Sequence, residues 1–150
     1  MAIATSLSAL VVEDEAVIRM HAGALLADAG LSPIEAATAD EARRVLDELD
    51  GDVALVVADI DLPGEMDGVA LALYVRDRWP GVEVVLASCR LGPASSPPFN
   101  ALKAFPKPFD ETAMREHFVG VLARRLARDP PADFLTAFPS FQPGAPGSLP

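Results

Sequence analysis

The chain has 150 residues, a hydrophobic share of 51% and a formal net charge of −10, so it can bury one sizeable core and reads as globular rather than disordered. That acidity argues against a general binder of nucleic acid or of anionic membranes, which needs a basic face. A single cysteine, Cys89, excludes an internal disulfide and a cysteine-based zinc site.

Residues 1–6 read as a loose leader without the basic start and long apolar core of a signal peptide. Leu7–Val12 is a short apolar run and a first strand, stopped by Glu13-Asp14-Glu15. From Glu15 to Ala29, Val17, Ile18, Leu25 and Leu26, with Met20 and Ala22 between, give a helical pattern that Gly30 ends. Leu31–Ala36 is a weak second strand. Thr38 and Glu41 have capping-box spacing at the start of a helix that runs to about Leu49. Ala54–Asp59 is an apolar, β-branched run, the mark of a strand buried on both faces. It ends abruptly at Asp59, and Pro63-Gly64 then forces a loop. A third helix begins at Asp67-Gly68, passes through Leu71, Leu73 and Val75, and stops at Trp79-Pro80-Gly81. Val82–Ala87 and Leu102–Pro106 are the fourth and fifth strands. Asp110 is placed to cap a last helix with Met114, Phe118, Val121, Leu122 and Leu126 on one face.

Strands and helices that alternate with short links make an α/β protein with a parallel sheet covered on both faces. With right-handed crossovers, five strands give a flavodoxin-like, doubly wound sheet in the order 2-1-3-4-5. All C-terminal strand ends of a parallel sheet lie along one edge. That edge collects Glu13 and Asp14 after strand 1, Asp59 after strand 3, Ser88 after strand 4 and Lys107 after strand 5. Adjacent carboxylates raise one another's pKa unless a cation is present, and a hard divalent ion with oxygen ligands resolves the conflict. Mg2+ is typical where a phosphate also binds, and it lets a carboxylate act as nucleophile to give an acyl phosphate. A lysine opposite would hold a phosphate oxygen as a point charge, and a serine hydroxyl could bond another. The chain has only two lysines, Lys103 and Lys107, so Lys107 stands out.

Glu13-Asp14, Asp59 with Leu62-Pro63-Gly64 and Asp67-Gly68, Ser88, and Lys107-Pro108-Phe109, in this order, resemble the receiver domain of bacterial two-component response regulators. The resemblance covers roughly Leu7 to Arg128. It implies that Asp59 accepts a phosphoryl group from the phosphohistidine of a sensor histidine kinase or phosphotransfer protein. Asp14 and Asp59 would ligate Mg2+ directly, with the backbone carbonyl of Asp61 as a third protein ligand and Glu13 acting through water. Ser88 would be the hydroxyl that swings towards the phosphate, Lys107 would pair with it, and the Lys107–Pro108 bond would be cis. The implied protein is a cytoplasmic phosphoacceptor signalling module rather than an enzyme, with self-dephosphorylation left open.

This sequence departs from the family pattern in three places. Glu65 reads as a one-residue insertion between Asp59 and Asp67. Three prolines and a glycine between Arg90 and Pro98 disfavour the regular fourth helix expected there, which should be short or irregular. Ala104 takes the position that often holds an aromatic switch residue, with Phe105 as its neighbour. Residues 7–128 are thus expected to form the receiver domain, and 129–150 a proline-rich tail without an output domain. The tail holds six of the 14 prolines together with Phe134, Phe138 and Phe141. A homodimer through the fourth-helix, strand-5 and last-helix face, or through the tail, is left open. His21 and His117 read as surface or packing residues.

Two alternatives stand beside the receiver. Asp59-Ile60-Asp61 also resembles the nucleophile motif of haloacid-dehalogenase-type phosphatases, although Pro63 and the unexplained strand-1 acids speak against it. A receiver-like scaffold that takes no phosphate is the other.

Overall fold

The computed structural model describes residues 7–88, 103–129, 136–137 and 139–140. In chain order the elements are β1 (Ser8–Val12), α1 (Ala16–Asp28), β2 (Ser32–Ala36), α2 (Ala39–Glu48), β3 (Leu55–Asp59), α3 (Gly68–Arg78), β4 (Glu83–Ser88), β5 (Lys103–Pro106) and α4 (Glu111–Arg128). The five strands form one parallel sheet in the order β2-β1-β3-β4-β5, the arrangement expected from the alternation of elements. Pro33 sits in β2 at the sheet edge, where a residue without an N–H costs no ladder bond on its open side.

Alternate strand residues face opposite sides. Leu10, Val12, Val56, Ala58, Val84 and Leu86 meet Ala42 and Leu46 of α2 and Leu71 and Val75 of α3. Ala9, Val11, Leu55, Val57, Val85 and Phe105 meet Leu25 and Leu26 of α1 and Met114, Phe118 and Val121 of α4. The five residues of β3 are all buried, as a central strand covered by two helix layers requires. Each fully buried leucine or phenylalanine contributes about 1.5–3 kcal/mol.

Three of the helices start on side-chain caps. Thr38 accepts from Glu41 N at 3.1 Å, Asp67 from Ala70 N at 2.9 Å, and Asp110 from Ala113 N at 3.1 Å. Glu41 reaches back to the N–H of Ala37, one residue before the cap. Helix α1 departs from the expected pattern. It turns Ala22, Gly23, Leu25 and Leu26 inward and leaves Val17 80% and Met20 63% exposed. Its apolar residues run nearly all round, so spacing alone does not select the buried face. Ser88 closes β4 instead of following it. The leader, Cys89, the segment expected to hold the irregular fourth helix, and Phe134, Phe138 and Phe141 of the tail lie outside the described residues.

Candidate functional site

The parallel register fixes the site. Val12 pairs with Ala58, Asp59 with Ala87, and Ser88 with Pro106. The residues that follow β1 and β5 therefore emerge beside the last residues of β3 and β4. Glu13, Asp59 and Ser88 are the buried polar residues among those described. Burying three polar groups at one sheet edge is costly without partners, and each has one.

Lys107 supplies most of that partnership. Its Nζ donates a short hydrogen bond to Glu13 Oε1 and lies 3.3 Å from Asp59 Oδ2. Glu13 Oε2 accepts from the Glu15 N–H at 3.1 Å, and Asp59 Oδ1 accepts from the Asp61 N–H at 3.2 Å. Asp14 is exposed at the mouth of the pocket. Ser88 Oγ donates to Asp61 Oδ2 at 3.4 Å. The Lys107 N–H donates to the Ser88 carbonyl at 3.1 Å, and the Lys107–Pro108 peptide is cis. An open cavity of about 700 Å3 lies over this edge, lined by Asp14, Asp59, Asp61 and Lys107 and, on its apolar side, by Ile18 and Phe109.

Two further residues hold the frame. Arg19 on α1 donates from Nη1 to the Glu13 carbonyl at 2.8 Å and from Nε to Glu35 Oε1 at 2.9 Å, tying the acidic turn to β2. Gly68 starts α3 directly against the end of β3. A Cβ there would lie 1.9 Å from the Asp59 carbonyl oxygen, which leaves room for glycine alone. From sequence, Arg19 has no part in the site, and Gly68 is part of the Asp67-Gly68 helix start and of the family motif without its close approach to Asp59.

Electrostatics show a surplus of negative charge. Burial raises the Glu13 carboxyl above its ordinary value; Lys107 and the Glu15 N–H oppose the shift, while Asp14 and Asp59 add to it. For Lys107, burial pulls downward, but the bond to Glu13 and the charges of Asp59 and Glu13 carry the ammonium above its ordinary value. Negative charge adds to both upward shifts, because among the described residues the carboxylates outnumber the single cation in contact with them. Glu13, Asp14 and Asp59 each offer one oxygen within 4.8 Å of the others. A compact cluster of hard oxygen donors with unbalanced charge fits a small divalent cation such as Mg2+.

The sequence-predicted residues Glu13, Asp14, Asp59, Asp61, Ser88 and Lys107 are thus gathered at one sheet edge. Ala104 and Phe105 are separated: Ala104 packs on the α2/α3 side and Phe105 on the α1/α4 side. Phe105 therefore does not stand in for an aromatic at position 104. Its ring meets His117 edge-on at 5.7 Å.

The sequence model of the response regulator receiver domain family matches residues 9–118. Over 83 residues the chain is 37% identical to the sensor kinase CckA of Brucella abortus, a stretch that is 55% of this chain and 9% of that protein. It is 38% identical over 80 residues to an NtrX-like response regulator of Rickettsia bellii, covering 53% of this chain and 16% of that protein. The chain thus spans a small part of the curated relatives it matches. Among solved structures, the receiver domain of the hybrid histidine kinase CckA aligns with a TM-score of 0.64 at 29% identity, over 77% of this chain and 98% of that one. The Vibrio cholerae chemotaxis protein CheY4 aligns with a TM-score of 0.67 over 78% of this chain and 99% of that one, and at 20% identity it shows the fold alone.

Proposed function

Because the chain belongs to the response regulator receiver domain family of two-component systems, we propose that Asp59 is its phosphoacceptor. The donor is the phosphohistidine of a sensor histidine kinase or phosphotransfer protein. The observation that carries this reading is the position of Asp59. Its carboxylate lies at the floor of an open cavity, held by the Asp61 N–H on one oxygen and facing Lys107 at 3.3 Å on the other.

In the transfer, an Asp59 oxygen forms a bond to phosphorus as the donor's phosphorus–nitrogen bond breaks. The electron pair leaves with the imidazole nitrogen, and the product is an acyl phosphate. Phosphoryl transfer asks the protein mainly for positioning and charge neutralisation. Glu13, Asp14 and Asp59 would hold Mg2+, with the Asp61 carbonyl as a further ligand. When bound, the ion would neutralise charge between the carboxylate and the incoming phosphoryl oxygens. Lys107 would exchange part of its contact with Asp59 for a phosphoryl oxygen, and Ser88 would donate to another. A phosphatase of the haloacid-dehalogenase type is disfavoured, since Asp59-Ile60-Asp61 follows the third strand here and the strand-1 acids are part of the same pocket.

The test is intact-mass spectrometry after treatment with acetyl phosphate and Mg2+. A gain of about 80 Da, the mass of one phosphoryl group, should map to Asp59, disappear in base and be absent from Asp59→Asn. Persistent labelling of the variant would remove Asp59 from this role. No label on the wild type would favour a scaffold that takes no phosphate.

A further inference from the structure

Helix α1 differs from α2, α3 and α4 in how it starts. Glu15 stands at its N-cap position and makes no side-chain capping bond, whereas the other three carry one. The turn that feeds α1, Glu13-Asp14-Glu15, holds two of the three clustered acids. Several bonds act on Glu13 itself. Its N–H donates to the Ala36 carbonyl at 3.0 Å, and its carboxylate accepts from Lys107 and from the Glu15 N–H. Arg19, one turn into α1, holds the backbone between the two acids. Its Nη1 donates to the Glu13 carbonyl at 2.8 Å, and its Nε donates to Glu35 Oε1 on β2 at 2.9 Å. The Arg19 side chain is 19% exposed, so this bridge is largely shielded from water.

We infer that Arg19 is a positioning residue for the divalent-cation site: its guanidinium, tied to Glu35, pins the peptide between Glu13 and Asp14 and so sets how the two acids present their oxygens. The inference rests on the reading of Glu13, Asp14 and Asp59 as that site. A peptide unit is planar and rigid, so the Glu13 carbonyl and the Asp14 N–H turn together. Holding the carbonyl fixes the direction from which the Asp14 side chain departs. Asp14 gains most from this, because it is exposed. Glu35 anchors the far side of the guanidinium. A planar fork held at two donors keeps its orientation, while one held at a single donor can swing. Groups that orient metal ligands without touching the ion typically change affinity 10–100-fold. The plain alternative is an ion pair between a helix and an edge strand that adds little to stability and nothing to the metal. The sign of the effect separates the two. By charge alone, removing a cation beside the acids favours binding of a divalent ion. Removing the strap weakens it.

The experiment uses the full chain, labelled with nitrogen-15, as wild type, Arg19→Ala, Arg19→Lys, Glu35→Ala and the Arg19→Ala/Glu35→Ala double variant. Mg2+ is titrated in without a phosphoryl donor, and its Kd is read from the backbone amide shifts of the folded protein. A loss of stability alone leaves that Kd unchanged. Arg19→Ala should raise it about tenfold, the lower end of the range, because the strap reaches a carbonyl and not a ligand's own carboxylate. Arg19→Lys, which keeps the charge and one donor group, should lie between it and the wild type. Glu35→Ala should raise the Kd less than Arg19→Ala does. In the Arg19→Ala background its effect should shrink, because the strap is already gone. An Arg19→Ala chain that binds Mg2+ as tightly as the wild type, or more tightly, overturns the inference and leaves the metal-site reading intact. An undiminished Glu35→Ala effect without Arg19 also overturns it. If Arg19→Ala does not fold, wild-type affinity in both Arg19→Lys and Glu35→Ala overturns it in the same way. A wild type whose amides show no saturable shift with Mg2+ overturns both.

Discussion

Lys107 donates its short hydrogen bond to Glu13 rather than to Asp59, which it faces at 3.3 Å. The lysine after β5 is therefore a strut between the ends of β5 and β1 before any phosphate arrives. Removing it leaves Glu13, 3% exposed, as a buried carboxylate without its cation. Lys107→Ala should lose about 2–3 kcal/mol in metal-free buffer, close to the lower end for breaking a buried pair, because the lysine side chain is 15% exposed. Mg2+ should restore part of the loss by supplying the missing positive charge. Urea unfolding with and without Mg2+ measures both. Equal stability of variant and wild type in EDTA would mean that the strut does not bear on folding.

Asp14 gives the opposite behaviour. It is exposed, and substitutions at exposed positions change stability by no more than about 0.5 kcal/mol. Asp14→Asn should therefore unfold in EDTA close to the wild type. The wild type should gain about 1.4 kcal/mol when Mg2+ is tenfold above its Kd. The variant should gain far less at the same concentration, since a neutral amide replaces one of the three clustered carboxylates. A full Mg2+-dependent shift in Asp14→Asn, read by differential scanning fluorimetry, would exclude Asp14 from the metal site.

The topology and most of the site were legible in the sequence because both depend on local signals. Apolar runs ended by Asp59 or by Glu13-Asp14 mark strand ends, and a parallel sheet places all such ends together. The capping residues Thr38, Asp67 and Asp110 could be read from residue type and spacing. What escaped depends on contacts far apart in the chain. The side chain of Arg19 reaches both the Glu13 carbonyl and Glu35, and nothing in its own neighbourhood announces that. The carboxylate of Asp61 had been given no part, yet it meets Ser88 across the pocket. The orientation of α1 was also illegible, because Val17 and Met20 are as apolar as the residues that bury.

Gly68 should tolerate no side chain. Its Cβ would lie 1.9 Å from the Asp59 carbonyl oxygen and 2.8 Å from Ile60 Cα, both backbone positions that cannot rotate away. Gly68→Ala must push α3 away from β3, at a cost of about 3 kcal/mol. The displacement falls on the residue that carries the proposed phosphoacceptor. Acetyl phosphate labelling should therefore fall beyond what the unfolded fraction explains. Thermal unfolding together with labelling at a temperature where the variant is folded measures the two effects separately. A variant as stable as the wild type would show that the helix start can shift freely.

His117 should make stability depend on pH. Its ring packs against Phe105 and Phe118, and its side chain is 19% exposed. Nε2 is buried without a hydrogen bond, 3.8 Å from Glu83 Oε2, while Arg124 occupies Glu83 Oε1 at 2.7 Å. Burial lowers the pKa of His117 below its ordinary 6.5; Glu83 opposes this, and Lys103 and Arg124 reinforce it. Below pH 6.5 the unfolded chain takes up a proton that the folded protein refuses, so the unfolded state binds more protons. The contribution of His117 to stability is thus fully present above 6.5 and is lost as pH falls towards the folded-state pKa. His117→Gln, which does not titrate, should show a flatter stability profile between pH 7 and pH 5. Urea unfolding of both proteins in EDTA across that range tests this. The comparison is made as a difference, so the carboxylates of the pocket cancel. A wild type that parallels the variant throughout, or that grows more stable relative to it as pH falls, would reverse the assignment and make Glu83 the dominant influence on the ring.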